Sequence, residues 1–94
     1  MPLPEANLLA RIERYLKTCG PAVWWIKVHG SGYGRNGVPD LHVLAGGAPW
    51  YIEVKAPGKV STKIQIEMQR RIKAAGGRVL VVDNYEQFVR EFAA

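Results

Sequence analysis

Three residues near the middle of the chain have types and spacings that could do chemistry. They are Asp40, in a Pro39-Asp40 pair, and Glu53 and Lys55, in the run "YIEVKA" at 51–56. Glu53 and Lys55 are two apart, so on a strand both side chains leave one sheet face while Ile52 and Val54 enter apolar packing on the other. Twelve residues separate Asp40 from Glu53, and a hairpin of that length can bring the two carboxylates together at one end of a sheet. Paired carboxylates form a hard oxygen site, suited to Mg²⁺ or Mn²⁺ rather than zinc. A lysine beside them can orient and deprotonate a water or stabilise charge building on phosphate oxygens, which points to phosphodiester hydrolysis. Taken alone, Glu53 and Lys55 read as an exposed ion pair of small energetic consequence. Their place after a Pro-Asp pair and a glycine turn favours the site.

Two further polar residues fit. At about 100° per residue, Leu8, Leu9, Ile12, Leu16 and Cys19 fall within about 60° of Glu5 on an N-terminal helix. Glu5 is therefore expected on the face that packs against the sheet, where an unpaired carboxylate is costly and a cation would satisfy it. The alternative is a first-turn glutamate favoured by the helix dipole and open to water. Gln65 follows Thr62 by three, the spacing of a capping box; its side chain could instead orient an attacking water.

The elements that must position these residues read as αβββαβα. A helix is predicted over residues 4–18, stopped by Gly20-Pro21. Strands follow at 22–28, 38–45 and 50–56, with Gly46-Gly47 as the turn between the last two. Thr62 opens a second helix with Ile64, Met68, Ile72 and Ala75 on one face, closed by Gly76-Gly77. The apolar run "RVLVV" at 78–82 reads as a buried strand. A last helix, about 84–92, has Asn84 as its cap.

With 94 residues, the chain reads as one domain, 1–94, with one core. Lys and Arg number 13 against 8 acidic residues, and the pI is near 9.7, a balance that suits a polyanionic partner. Cys19 is the only cysteine, which excludes an intrachain disulfide or a thiolate cluster and is consistent with a reducing cytoplasm. Charged residues within the N-terminal apolar pattern argue against a signal peptide, and no uncharged run reaches the roughly 18 residues of a membrane span. Gly32, Gly34 and Gly37 spell G-x-G-x-x-G, with Glu53 at the spacing of a ribose-binding acid. That dinucleotide fingerprint needs a helix opening in the loop, and here a strand follows. A Ser31, Asp40 and His42 triad lacks a nucleophile elbow, and His29, His42 and Cys19 lack zinc spacing.

"PD" at 39–40 with "EVK" at 53–55 resembles the PD-(D/E)xK nuclease superfamily. Across nearly the whole chain, Glu5, "GVPDL" at 37–41, "YIEVKAPGKVSTKIQ" at 51–65 and "AAGGRVLVV" at 74–82 resemble its small VRR-NUC (virus-type replication-repair nuclease) domain. Archaeal Holliday-junction resolvases are similar through "GSG" at 30–32, Pro39-Asp40 and Glu53-x-Lys55. The VRR-NUC resemblance implies a restriction-endonuclease-like α/β fold, a central mixed sheet with flanking helices. It implies a Mg²⁺ or Mn²⁺ site of Glu5, Asp40, Glu53 and the Val54 carbonyl, with Asp40, Glu53, Lys55 and Gln65 catalytic. It implies an endonuclease acting on branched or flapped DNA, in a bacterial or phage-infected cytoplasm.

Backbone amides of the loop from Gly30 to Gly37, with Ser31, Tyr33 and Arg35, can approach a phosphate chain, as can Lys59 and Lys63 beside the second helix; a surface loop and solvated lysines are the structural alternatives. Two further functions stay open: a non-catalytic DNA-binding module that keeps a nuclease fold, and a metal-dependent nuclease acting on RNA. Adjacent Trp24 and Trp25 leave opposite sheet faces. One of them exposed would favour a homodimer, which symmetrical cutting of a four-way junction requires.

Overall fold

The computed structural model describes residues 4–28 and 37–93. Helix α1 (Pro4–Thr18) leads through a short 3₁₀ turn (Gly20–Ala22) into strand β1 (Val23–Lys27). Strands β2 (Leu41–Ala45) and β3 (Ala48–Val54), helix α2 (Lys63–Ala74), strand β4 (Arg78–Val82) and helix α3 (Tyr85–Phe92) complete the chain. The order is the αβββαβα expected from the sequence. The sheet runs β1-β2-β3-β4, antiparallel except for the parallel pair β3 and β4, so it is mixed. A parallel pair needs a long crossover, and α2 lies in it.

Strand ends differ from expectation. Val38, Pro39 and Asp40 precede β2, and β3 spans 48–54 rather than 50–56. Gly46 and Gly47 both have positive φ, 57° and 83°, which a two-residue hairpin turn requires and glycine allows without steric cost. That tight turn pairs Ala45 with Ala48 and so draws β3 back by two residues.

Leu8, Ile12 and Leu16 of α1 are buried against Leu41, Val43, Ile52, Val54, Val82 and Phe88. Phe88 of α3 joins an aromatic cluster with Tyr15 and Phe92, and Trp50 packs edge-on to Phe92. Helices α1 and α3 thus cover the face from which Ile52 and Val54 project. Tyr51 and Glu53 project from the other, where Ile72 of α2 and Tyr51 close around Gly77. The helix α2 presents Met68, Gln69 and Ile72 inward, while Ile64 and Ala75 are exposed. The apolar face expected for α2 is therefore rotated, because buried Gln69 donates to Ser61 Oγ at 3.0 Å and occupies an inner position.

Candidate active site

The hairpin register brings the carboxylates together. Leu41 pairs with Ile52, and one further step places Asp40 opposite Glu53. Asp40 is held at both ends: its carbonyl accepts from Val28 N at 2.8 Å, and its Oδ2 accepts from Val54 N at 2.8 Å. Past the end of β2, its carboxylate thus takes a donor that the ladder would otherwise pair. Lys55 extends the other edge of β3, its N–H donating to Val82 O at 2.8 Å.

Glu53 is only 3% exposed, and its Oε1 is buried with no hydrogen-bond partner. Its Oε2 accepts from Gln65 Nε2 at 3.5 Å. Burial, then the charge of Asp40 and a hydrogen bond to it, push the Glu53 carboxyl up from 4.5 to about 8; Lys55 opposes the shift and Glu5 adds to it. An acid so placed sits next to a second carboxylate with one oxygen unpaired. Bound as a carboxylate, it would need a cation. The donor set of hard oxygens fits a divalent ion of the Mg²⁺ class. Among the described residues, no three His, Cys, Asp or Glu side chains stand close enough to ligate one ion as they are. Asp40 and Glu53 are the pair that the fold brings together.

Glu5 lies in the first turn of α1 and is exposed, not on the buried face expected of it. Its charge nonetheless reaches Glu53. If Glu5 ligates, Glu5→Gln should raise the cation concentration that half-saturates cleavage. If Glu5 only complements the helix dipole, the substitution should change stability by about 0.3–1 kcal/mol and leave the titration alone.

Gln65 completes the capping box: Thr62 Oγ1 accepts from Gln65 N at 3.2 Å, and Thr62 N donates to Gln65 Oε1 at 2.8 Å. The cap and the contact to Glu53 coexist in one side chain. Lys59 and Lys63 are exposed beside the site, while Ser31, Tyr33 and Arg35 lie outside the described residues. Gly37, at the end of that loop, has φ of 84°, and a Cβ there would stand 2.8 Å from Ile64 O. Glycine is what lets the backbone at residue 37 lie against the start of α2. Asp83, not anticipated from sequence, accepts from Gly58 N at 3.1 Å and ties down the segment carrying Lys59. Its only sequence signal is an acidic residue directly after the β4 run. His42, two residues from Asp40, stands edge-on to Tyr51 at 5.0 Å, and burial lowers its pKa, favouring the neutral ring.

No family model matches the chain. A solved structure described as a VRR_NUC domain superposes with a TM-score of 0.80 at 26% identity, covering 99% of this chain and 100% of that one. "Putative nuclease p44" of Acyrthosiphon pisum secondary endosymbiont phage 1 is 41% identical over 54 residues, 56% of this chain and 58% of that protein. The uptake hydrogenase large subunit of Cupriavidus necator is 34% identical over 71 residues, 76% of this chain but 11% of that protein. The chain thus spans little more than half the length of the first curated relative and a small part of the second.

A mixed sheet flanked by helices, with Asp40 and Glu53 at the ends of its two central strands, defines a restriction-endonuclease-like fold, that of the PD-(D/E)xK nuclease superfamily. Within that superfamily the likeness to the solved domain extends over essentially the whole chain. The chain has the fold of a VRR-NUC domain.

Proposed function

We propose that this domain hydrolyses phosphodiester bonds in DNA as a divalent-cation-dependent endonuclease, with branched structures such as four-way junctions or flaps as its substrates. The observation that carries the reading is Glu53: a buried carboxylate with an unpartnered oxygen, beside Asp40 and under the influence of Lys55. Glu53, Asp40 and the Val54 carbonyl, with Glu5 reaching in, would hold Mg²⁺ or Mn²⁺. Bound there, the cation would lower the pKa of a water and draw the scissile phosphate into place.

The chain's own groups supply the rest. Asp40 stays oriented because Val54 N–H holds its Oδ2. The Lys55 ammonium stabilises negative charge gathering on the phosphate oxygens in the transition state. Lys59 and Lys63, with Ser31, Tyr33 and Arg35, track the backbone without reading bases, in keeping with a net charge of +5.

A homodimer belongs to the same reading. Trp24 is 58% exposed, whereas Trp25 packs on the core side and donates from Nε1 to Glu13 at 3.3 Å. Ile26 and Leu44 are exposed on the same outer face as Trp24. With His42, Pro49 and Tyr51 they line a shallow groove of about 290 Å³. An apolar sheet face of this kind suits a second copy related by two-fold symmetry. No helix among the described residues is long and apolar enough to cross a membrane.

The test is cleavage of a four-way junction, a flap, linear duplex and RNA, with and without Mg²⁺, alongside sedimentation of the protein alone and with the junction. Cation-dependent cutting of branched DNA by a dimer is the expected result. RNA cleavage, or tight junction binding without cleavage, would transfer the reading to an RNA nuclease or a binding module. A monomer in both runs would remove the dimer and point to single-cut flaps.

A further inference from the structure

The amide of Gln65 has two different ends, and the fold leaves no choice about which faces the site. At one end stands the backbone N–H of Thr62, which can only donate, so it requires Oε1; the distance is 2.8 Å. At the other stands Glu53 Oε2, an acceptor when ionised, 3.5 Å from Nε2. Reversing the amide would set N–H₂ against N–H and C=O against a carboxylate, losing both bonds at once. The end facing the site is therefore a donor. It does not accept a proton from a water there; it holds one oxygen of Glu53 and leaves Oε1 open.

The orientation of Glu53 thus descends from the start of α2. Thr62 Oγ1 accepts from Gln65 N at 3.2 Å, which fixes the first turn of the helix. Ser61, just before the cap, receives the Nε2 of buried Gln69 at 3.0 Å. We infer that Thr62 is a positioning residue of the site, acting through Gln65: its cap holds the amide so that Nε2 pins Glu53 Oε2 and presents Oε1 to the cation. The inference rests on the nuclease reading for its kinetic consequence but not for its geometry.

Three variants test it. Thr62→Val keeps the branched shape and removes the hydroxyl that latches the first turn. Thr62→Ser restores that hydroxyl. Ala74→Gly, at the far end of the same helix, lowers helix stability by a similar amount without touching the cap. In metal-free, ¹⁵N-labelled protein, nuclear Overhauser contacts should run from the Gln65 Nε2 protons to the Glu53 side chain in wild type, Thr62→Ser and Ala74→Gly. They should be lost in Thr62→Val. In Mg²⁺, Thr62→Val should lower kcat by about fivefold with the KM for DNA unchanged, and Thr62→Ser should recover it. A Thr62→Val protein that keeps both the contacts and its kcat overturns the inference. So does equal damage from Ala74→Gly, which would make the effect one of helix stability alone. Contacts that follow Thr62 in a wild-type protein that cuts nothing would support the positioning and overturn the nuclease reading instead.

Discussion

Asp40→Asn and Lys55→Ala should each lower the cleavage rate by ~10²-fold or more while leaving the fold and DNA binding largely intact. The size is that of removing one well-placed electrostatic group from a site that stabilises transition-state charge. Asparagine keeps a carbonyl oxygen where Asp40 Oδ2 accepts the Val54 N–H, so the junction of β2 and β3 retains its hydrogen bond. What it loses is the charge that a divalent ion needs. Lys55 contributes its backbone N–H to Val82, a bond that alanine preserves, and the substitution removes the ammonium together with its aliphatic stem. Single-turnover cleavage and a DNA-binding isotherm on each variant make the measurement. Near wild-type cutting by either one in Mg²⁺ would show that the chemistry lies elsewhere.

Glu53→Gln should do two opposite things: abolish cleavage and stabilise the metal-free fold at alkaline pH. Burial and the neighbouring Asp40 carboxylate hold the folded Glu53 carboxyl at about 8, against 4.5 ordinarily. Between these values the folded chain keeps a proton that the unfolded chain has released. The contribution of Glu53 to stability is therefore fully present below about 4.5 and is lost as pH rises through about 8. Glutamine cannot ionise, and its amide oxygen can still accept from Gln65 Nε2. At pH 8 the metal-free variant should melt about 4–8 °C above wild type, the shift of roughly 1 kcal/mol in a domain of this size, after discounting for screening by water. The difference should vanish by pH 4.5. Mg²⁺ should stabilise wild type more than the variant, because binding to the folded state alone raises its melting point. Equal melting curves at pH 8 would mean that Glu53 carries no buried charge to relieve.

Both predictions turn on a pair whose meeting is written in the chain itself. A two-residue turn at Gly46-Gly47 sets the pairing of every residue in the hairpin, and that pairing carries Asp40 to Glu53. Caps are equally local: Thr62 with Gln65 and Asn84 with Gln87 N form from residues three apart. So the order of elements, the hairpin and both caps follow from short-range sterics and hydrogen bonding between near neighbours in sequence.

Tertiary packing decided the rest. Helical periodicity sets Glu5 near the apolar stripe of α1, but a stripe is a range of angles, and burial along α1 begins only at Leu8, so Glu5 is exposed. The inward face of α2 departs from its apolar periodicity because Gln69 found a partner in Ser61, and a buried amide with a partner is as acceptable as an isoleucine. Adjacent tryptophans on a strand must face opposite ways, yet only the position of α2, over β3 and β4, left Trp24 rather than Trp25 bare. The high pKa of Glu53 and the second contact of Gln65 belong to this level too. They depend on water being excluded by elements far apart in sequence, and no local pattern encodes that exclusion.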